Sequence, residues 1–76
     1  MNYRDYISAD PRMMMGKPVI NGTRLTVEAI LRKLAEGAGM ETILNMYPCL
    51  TPESVRAVLQ YAAELVANQE DLEDLP

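Results

Sequence analysis

The sequence contains no histidine, no tryptophan and no phenylalanine, and its single cysteine is Cys49. A lone thiol with no imidazole to take its proton is a poor nucleophile, and a zinc site would need further thiolate or nitrogen ligands. One cysteine also cannot form an internal disulfide, which is typical of proteins in a reducing compartment. We therefore expect a protein that is not an enzyme and holds no metal or other cofactor, with Cys49 as a small buried apolar residue.

Long hydrophobic runs are missing as well. No run approaches the roughly 20 apolar residues that a transmembrane helix needs, and the opening segment MNYRDYISAD is too polar for a secretory signal peptide. These observations predict a soluble, cytoplasmic protein that does not enter a membrane.

The 76 residues allow one small domain, whose core must come from aliphatic side chains, six methionines and four tyrosines. A chain this short buries only just enough apolar surface to fold alone. We expect residues 1–68 to form a single domain, residues 69–76 to form an acidic tail, and the protein to be a homodimer.

Charge is unevenly distributed along the chain. Residues 1–33 carry six cations and three acids, whereas residues 34–76 carry one cation and eight acids. Such a split indicates either two different partners or simply solvated faces with an acidic end. In the tail, Leu72 and Leu75 stand among acids, so Glu70, Asp71, Leu72 and Leu75 are candidate partner-binding residues; the alternative is a solvating tail.

The periodicity predicts a short β element followed by three helices. Ile7 and Pro18-Val19-Ile20 are extended, and Asn21-Gly22 predicts a type I′ turn leading back through Thr23-Arg24-Leu25. Thr26 is the expected N-cap of the first helix, and Gly37 ends that helix. The second helix runs from Met40 to the residues before Pro48. The third starts after the N-cap Thr51 and continues to about residue 68, with an apolar stripe of Val55, Val58, Leu59, Ala62, Leu65 and Val66.

These motifs together resemble a known family. The pattern GKPVI-x-GTR-xx-VE-x-IL, followed by LAEG and by IL-x-x-YP-x-LT-x-E-x-V, is similar to the small prokaryotic proteins called the domain of unknown function 433 family. The resemblance covers roughly residues 6 to 66. The family often has another glycine directly before GKP, where this chain has Met13-Met14-Met15, so apolar bulk stands in a loop that solvent or a partner must cover.

The resemblance implies a helix-turn-helix core and an antitoxin role beside a PIN-like nuclease toxin. The expected fold is mainly α: a three-helix, homeodomain-like helix-turn-helix bundle preceded by a short N-terminal β-hairpin element. The implied function is binding of double-stranded DNA and of the toxin. The alternative is a protein-interaction module that does not bind DNA.

If the protein binds DNA, the start of the third helix should meet the bases. Ser54, Arg56 and Gln60 are then the candidate base contacts, with Glu53 and Ala57 beside them. Phosphates would be contacted by Lys17, Arg24, Arg32 and Lys33, although Arg24 could instead donate to the carbonyls of a helix C-terminus. Tyr61 predicts a second apolar face on the third helix, together with Ala57 and Leu65.

Overall fold

A computed structural model describes residues 2–69 and gives a mainly α domain with three helices and a two-stranded antiparallel sheet. The expected fold class is confirmed. Strand β1 is Ile7–Ser8 and strand β2 is Val19–Ile20; helices α1, α2 and α3 are Val27–Ala35, Met40–Met46 and Pro52–Ala67. The predicted acidic tail, apart from Gln69, lies outside the described residues.

The β element differs from the predicted hairpin. Ile7 pairs with Ile20 and Ser8 with Val19, so the strands are joined by residues 9–18 and not by Asn21-Gly22. The segment after Gly22 adds only a bridge between Val19 and Thr26 and a hydrogen bond from the Ile20 amide to the Leu25 carbonyl.

The predicted type I′ turn is wrong. Of the two central residues of the turn, Asn21 and Gly22, Gly22 alone has a positive φ, of 79°, and the Thr23 amide donates to the Ile20 carbonyl, as in a type II turn with glycine at its third position. Asn21 keeps a negative φ while its side-chain amide donates to the Asp5 carbonyl at 3.0 Å. The type II turn is therefore found together with a hydrogen bond between two residues that are sixteen apart in the sequence.

The helix boundaries follow the capping signals. Thr26 Oγ1 accepts from the Ala29 amide at 3.1 Å, and Gly37, at φ 103°, ends α1. The Gly37 and Ala38 amides donate to the Leu34 and Lys33 carbonyls, which is the Schellman arrangement. Thr51 caps α3 by accepting from the Ser54 amide at 3.2 Å, and Pro52 occupies the first turn, where its missing N–H costs nothing.

The core lies where the sheet and the starts of all three helices meet. Its buried hydrophobic residues are Ile7, Val19, Ile20, Val27, Ile30, Ile43, Leu50, Val55, Ala57 and Val58. The N-terminal turn, Tyr3–Asp5, packs against α3, where the Tyr3 and Tyr61 rings meet edge to face at 5.4 Å. Within residues 2–69, no helix is long and apolar enough to cross a membrane.

Cys49 is exposed, so its expected burial is wrong. The Leu50 amide donates to the Tyr47 carbonyl, which places Pro48 and Cys49 at the two central positions of the turn between α2 and α3. Side chains at the corner of such a turn face outward, while the flanking Leu50 reaches the core.

Candidate partner-binding surface

Two of the predicted phosphate contacts share one carboxylate on α1. Lys17 Nζ lies 3.1 Å from Glu28 Oε1, and Arg32 Nη2 lies 2.9 Å from Glu28 Oε2. The hydrogen bonds from Lys17 and then Arg32 hold the pKa of Glu28 below its ordinary value. A phosphate approaching these cations would meet the Glu28 charge, so Lys17 and Arg32 are weakened as DNA contacts.

The other two cations differ from each other. Lys33 Nζ lies 3.6 Å from Glu36 Oε1, one helical turn later. The exposed Arg24 side chain forms no ion pair within residues 2–69 and lines an open cleft of about 550 Å³. That cleft is also lined by Ser8, Asp10, Met13, Val19, Gly22 and Thr23. Arg24 is thus free to meet an anion, and no helix C-terminus lines the cleft.

Of the three residues predicted to contact bases, Ser54, Arg56 and Gln60, the structure leaves one exposed. Ser54 is only 6% exposed and its hydroxyl lies 3.1 Å from Thr51 Oγ1, so it belongs to the helix cap and does not face a DNA groove. Ala57 is fully buried. Gln60 is half-buried, and its Oε1 is buried without a hydrogen-bond partner among the described residues. Arg56 is the exposed candidate that remains.

The C-terminal half of α3 carries exposed apolar side chains. All four buried residues of α3 lie between Ser54 and Val58. Beyond them Leu59 is 47% exposed and Val66 68% exposed. We name Leu59, Ala62 and Val66, which are three and four residues apart and therefore share one side of the helix, the α3 flank. The predicted stripe is core only in its first half.

Helix α3 is much longer than the other two helices. Helix α3 has 16 residues, about 24 Å at 1.5 Å per residue, whereas α1 has 9 and α2 has 7. The buried residues of α3 lie in its first two turns, whereas on the side that faces α1 the later residues Tyr61 and Leu65 still line a groove.

A groove runs between α1 and α3. Its volume is about 520 Å³, and its lining is mostly apolar: Pro18, Val27, Leu31, Ala35, Tyr61 and Leu65, with Glu28 and Arg32 at the edge. Tyr61 and Leu65 are two of the three residues predicted to form a second apolar face on α3. The third, Ala57, belongs to the core instead.

The methionine run forms a protrusion, which we name the methionine loop (residues 13–16). The Gly16 and Lys17 amides donate to the Met13 and Met14 carbonyls. Met14, Met15 and Gly16 have φ values of 51°, 58° and 80°, which is one left-handed turn. Glycine adopts this conformation freely, but methionine does so at a cost. The Met15 side chain is 92% exposed.

The predicted partner-binding residues Glu70, Asp71, Leu72 and Leu75 lie outside the described residues. In the sequence they begin three residues after the end of α3 at Ala67. Three apolar surfaces of residues 2–69 therefore form the candidate site: the α3 flank, the α1–α3 groove and the methionine loop.

Comparisons with known proteins bear on the family. The family model described as protein of unknown function, DUF433, matches residues 7–62. Uncharacterized protein y4eO of Sinorhizobium fredii (strain NBRC 101917 / NGR234) is 32% identical over 59 residues, which are 78% of this chain. The chain spans only 27% of the length of that relative. No solved structure gives a significant match.

Proposed function

The chain belongs to the DUF433 family, and we propose that it is an antitoxin-like binding protein whose main partner is another protein. The observation that carries this proposal is the α3 flank, where Leu59 is 47% exposed and Val66 is 68% exposed on one side of the longest helix. Apolar side chains aligned on one side of a helix are the usual means of docking into a partner's groove. The proposal includes a homodimer, a cytoplasmic location and no catalytic activity.

The chemistry of the partner follows from the residues around the flank. Glu64 is exposed on α3, and the sequence continues with Glu70, Asp71, Glu73 and Asp74 around Leu72 and Leu75. We infer a partner with an apolar groove bordered by basic side chains, since acids steer the encounter and leucines supply burial. A PIN-like nuclease, which the family resemblance implies, would have to offer a basic rim beside its carboxylate-rich centre.

Co-expression tests this proposal. The chain is tagged and expressed with each reading frame that flanks its own gene, and the proteins that co-purify at stoichiometric amounts are measured. Val66→Glu places a charge on an exposed position of the flank, so the fold should persist while the partner is lost. Met46→Glu is the matched control, because Met46 is a similarly exposed apolar residue on α2. If Val66→Glu co-purifies with as much partner as Met46→Glu does, docking at the flank is refuted.

A truncation after Gln69 tests the tail separately. It leaves α3 intact and removes four of the chain's eleven acids. We expect slower association with the partner, most clearly at low salt, and an unchanged melting temperature. Unchanged association rates would mean that the tail is a solvating segment.

DNA binding is the second candidate function, and the exposure of Arg56 and Arg24 favours it. Neither guanidinium forms an ion pair within the described part of the chain. In a gel shift with the upstream DNA of its own gene, Arg56→Ala should reduce discrimination between sites, whereas Arg24→Ala should weaken all sequences alike. Lys33→Ala should have the smaller uniform effect, because Glu36 already pairs with Lys33. If Arg56→Ala lowers the affinity for every DNA sequence by the same factor, α3 does not read bases.

A further inference from the structure

The methionine loop presents apolar surface that the fold itself does not use. Met15 is almost fully exposed, and its backbone has the left-handed conformation that disfavours any side chain. A glycine at this position would satisfy the local geometry without exposing an apolar group. Costly backbone conformations persist where surrounding structure requires them, and they cluster at binding surfaces.

A groove that could receive such a protrusion lies close by on the same molecule. Pro18 lines the α1–α3 groove and follows Met15 by only three residues, a separation of at most about 10 Å. Under a two-fold axis, a protrusion and a neighbouring groove form two equivalent contacts, since each copy offers both. Methionine, which is flexible and unbranched, fits irregular apolar spaces well.

The charges of residues 2–69 sum to zero. Residues 2–33 carry six cations and three acids, a balance of +3, while residues 34–69 carry one cation and four acids, a balance of −3. The two segments cancel, so residues 2–69 carry no net charge and two copies of this part do not repel each other overall. The remaining charge of −4 belongs to residues 70–76.

We propose that a second copy of this chain occupies the α1–α3 groove, with Met14 and Met15 of each copy inserted into the groove of the other. This inference rests on the homodimer included in the proposed function and assigns its interface. It leaves the α3 flank free for a different protein. Self-association is measured without that protein, so the two proposals fail independently.

Sedimentation velocity at micromolar concentration tests the interface. The wild type should sediment at twice the chain mass. Met15→Glu and Ala35→Lys both alter exposed positions, one on the protrusion and one on the groove wall, and each should weaken the dimer by roughly tenfold or more, the loss typical of a central contact. Met46→Glu should leave the dimer intact. A wild-type monomer, or Met15→Glu dimers as stable as those of Met46→Glu, would overturn the assignment.

Mixing the two variants distinguishes this interface from a groove-to-groove contact. In a Met15→Glu and Ala35→Lys heterodimer, one methionine of the second variant meets an intact groove, and the new glutamate of the first meets the new lysine. We expect the mixture to associate at least tenfold more tightly than either variant alone. No gain on mixing would refute the insertion of the loop into the groove of the other copy.

Discussion

Replacing Met15 by glycine should stabilise the monomer, because Met15 lies in a left-handed turn. A non-glycine residue in this conformation costs about 1–2 kcal/mol, and glycine removes that cost. Glycine also gives the unfolded chain more conformational freedom, which costs about 0.4–1 kcal/mol. The Met15 side chain buries almost nothing in the single chain, so no burial term opposes the change. Met15→Gly should therefore stabilise the monomer by about 0.5–1 kcal/mol.

The assay must separate folding from association. Both the reference protein and the Met15→Gly variant should carry Ala35→Lys, so that a lost dimer contact does not obscure the gain. The melting temperature should rise by about 2 to 8 °C, given the size of this domain. Urea unfolding should give the same ordering of free energies.

Met13→Gly is the control within the same loop. Met13 has an ordinary extended backbone, with φ −128°, and is 38% exposed, so glycine brings the entropic cost and also loses a partly buried side chain; it should destabilise by at least about 0.5–1 kcal/mol. If Met15→Gly lowers stability as Met13→Gly does, the left-handed turn is not strained. The methionine loop would then hold no costly conformation that a binding role has to explain.

Three further predictions concern the stability of the domain. The pKa of Glu28 is lowered by Lys17 and Arg32, so its ion pairs stabilise the fold above pH 4.5, the ordinary value, and are lost as pH falls through the lower folded pKa. In Glu28→Gln, the urea concentration at the unfolding midpoint should depend less on pH in that acid range. The same pH dependence as in the wild type would contradict the ion pairs of Glu28 with Lys17 and Arg32. Thr51→Ala should cost about 1 kcal/mol in urea unfolding by removing the α3 cap, while an unchanged midpoint would show that the cap is dispensable. Ile30→Ala should cost about 2–5 kcal/mol because Ile30 is fully buried, and a loss below 1 kcal/mol would move it out of the core.

Local signals in the sequence predicted most of the fold. Caps and breakers such as Thr26, Gly37 and Thr51 act within a few residues, and all three lie where expected. The local pattern at Asn21-Gly22 predicts a type I′ turn, but the structure has a type II turn in which Asn21 keeps a negative φ. The Asn21 side chain donates to the Asp5 carbonyl, a contact between distant residues that a local pattern does not include. Cys49 was misplaced because residue type favours burial, whereas its turn position places it outside.

The candidate site was less predictable, since it depends on which elements meet. The pair of Lys17 with Glu28 joins residues eleven apart and cannot be read from periodicity. Ser54 looked like a base contact at the start of a recognition helix, but the same position also serves the cap of that helix. The exposed residues of α3 cannot be told from the buried ones by the apolar stripe, because the stripe does not show which of its residues another element covers.

An NMR titration of the isotopically labelled chain with its co-purified protein partner tests the central claim most directly. Docking at the α3 flank predicts that the largest amide shifts fall on Leu59, Ala62 and Val66, with Arg56 and the turn between α2 and α3 little changed. Shifts concentrated on Arg56 and that turn, with the flank unaffected, would contradict the account.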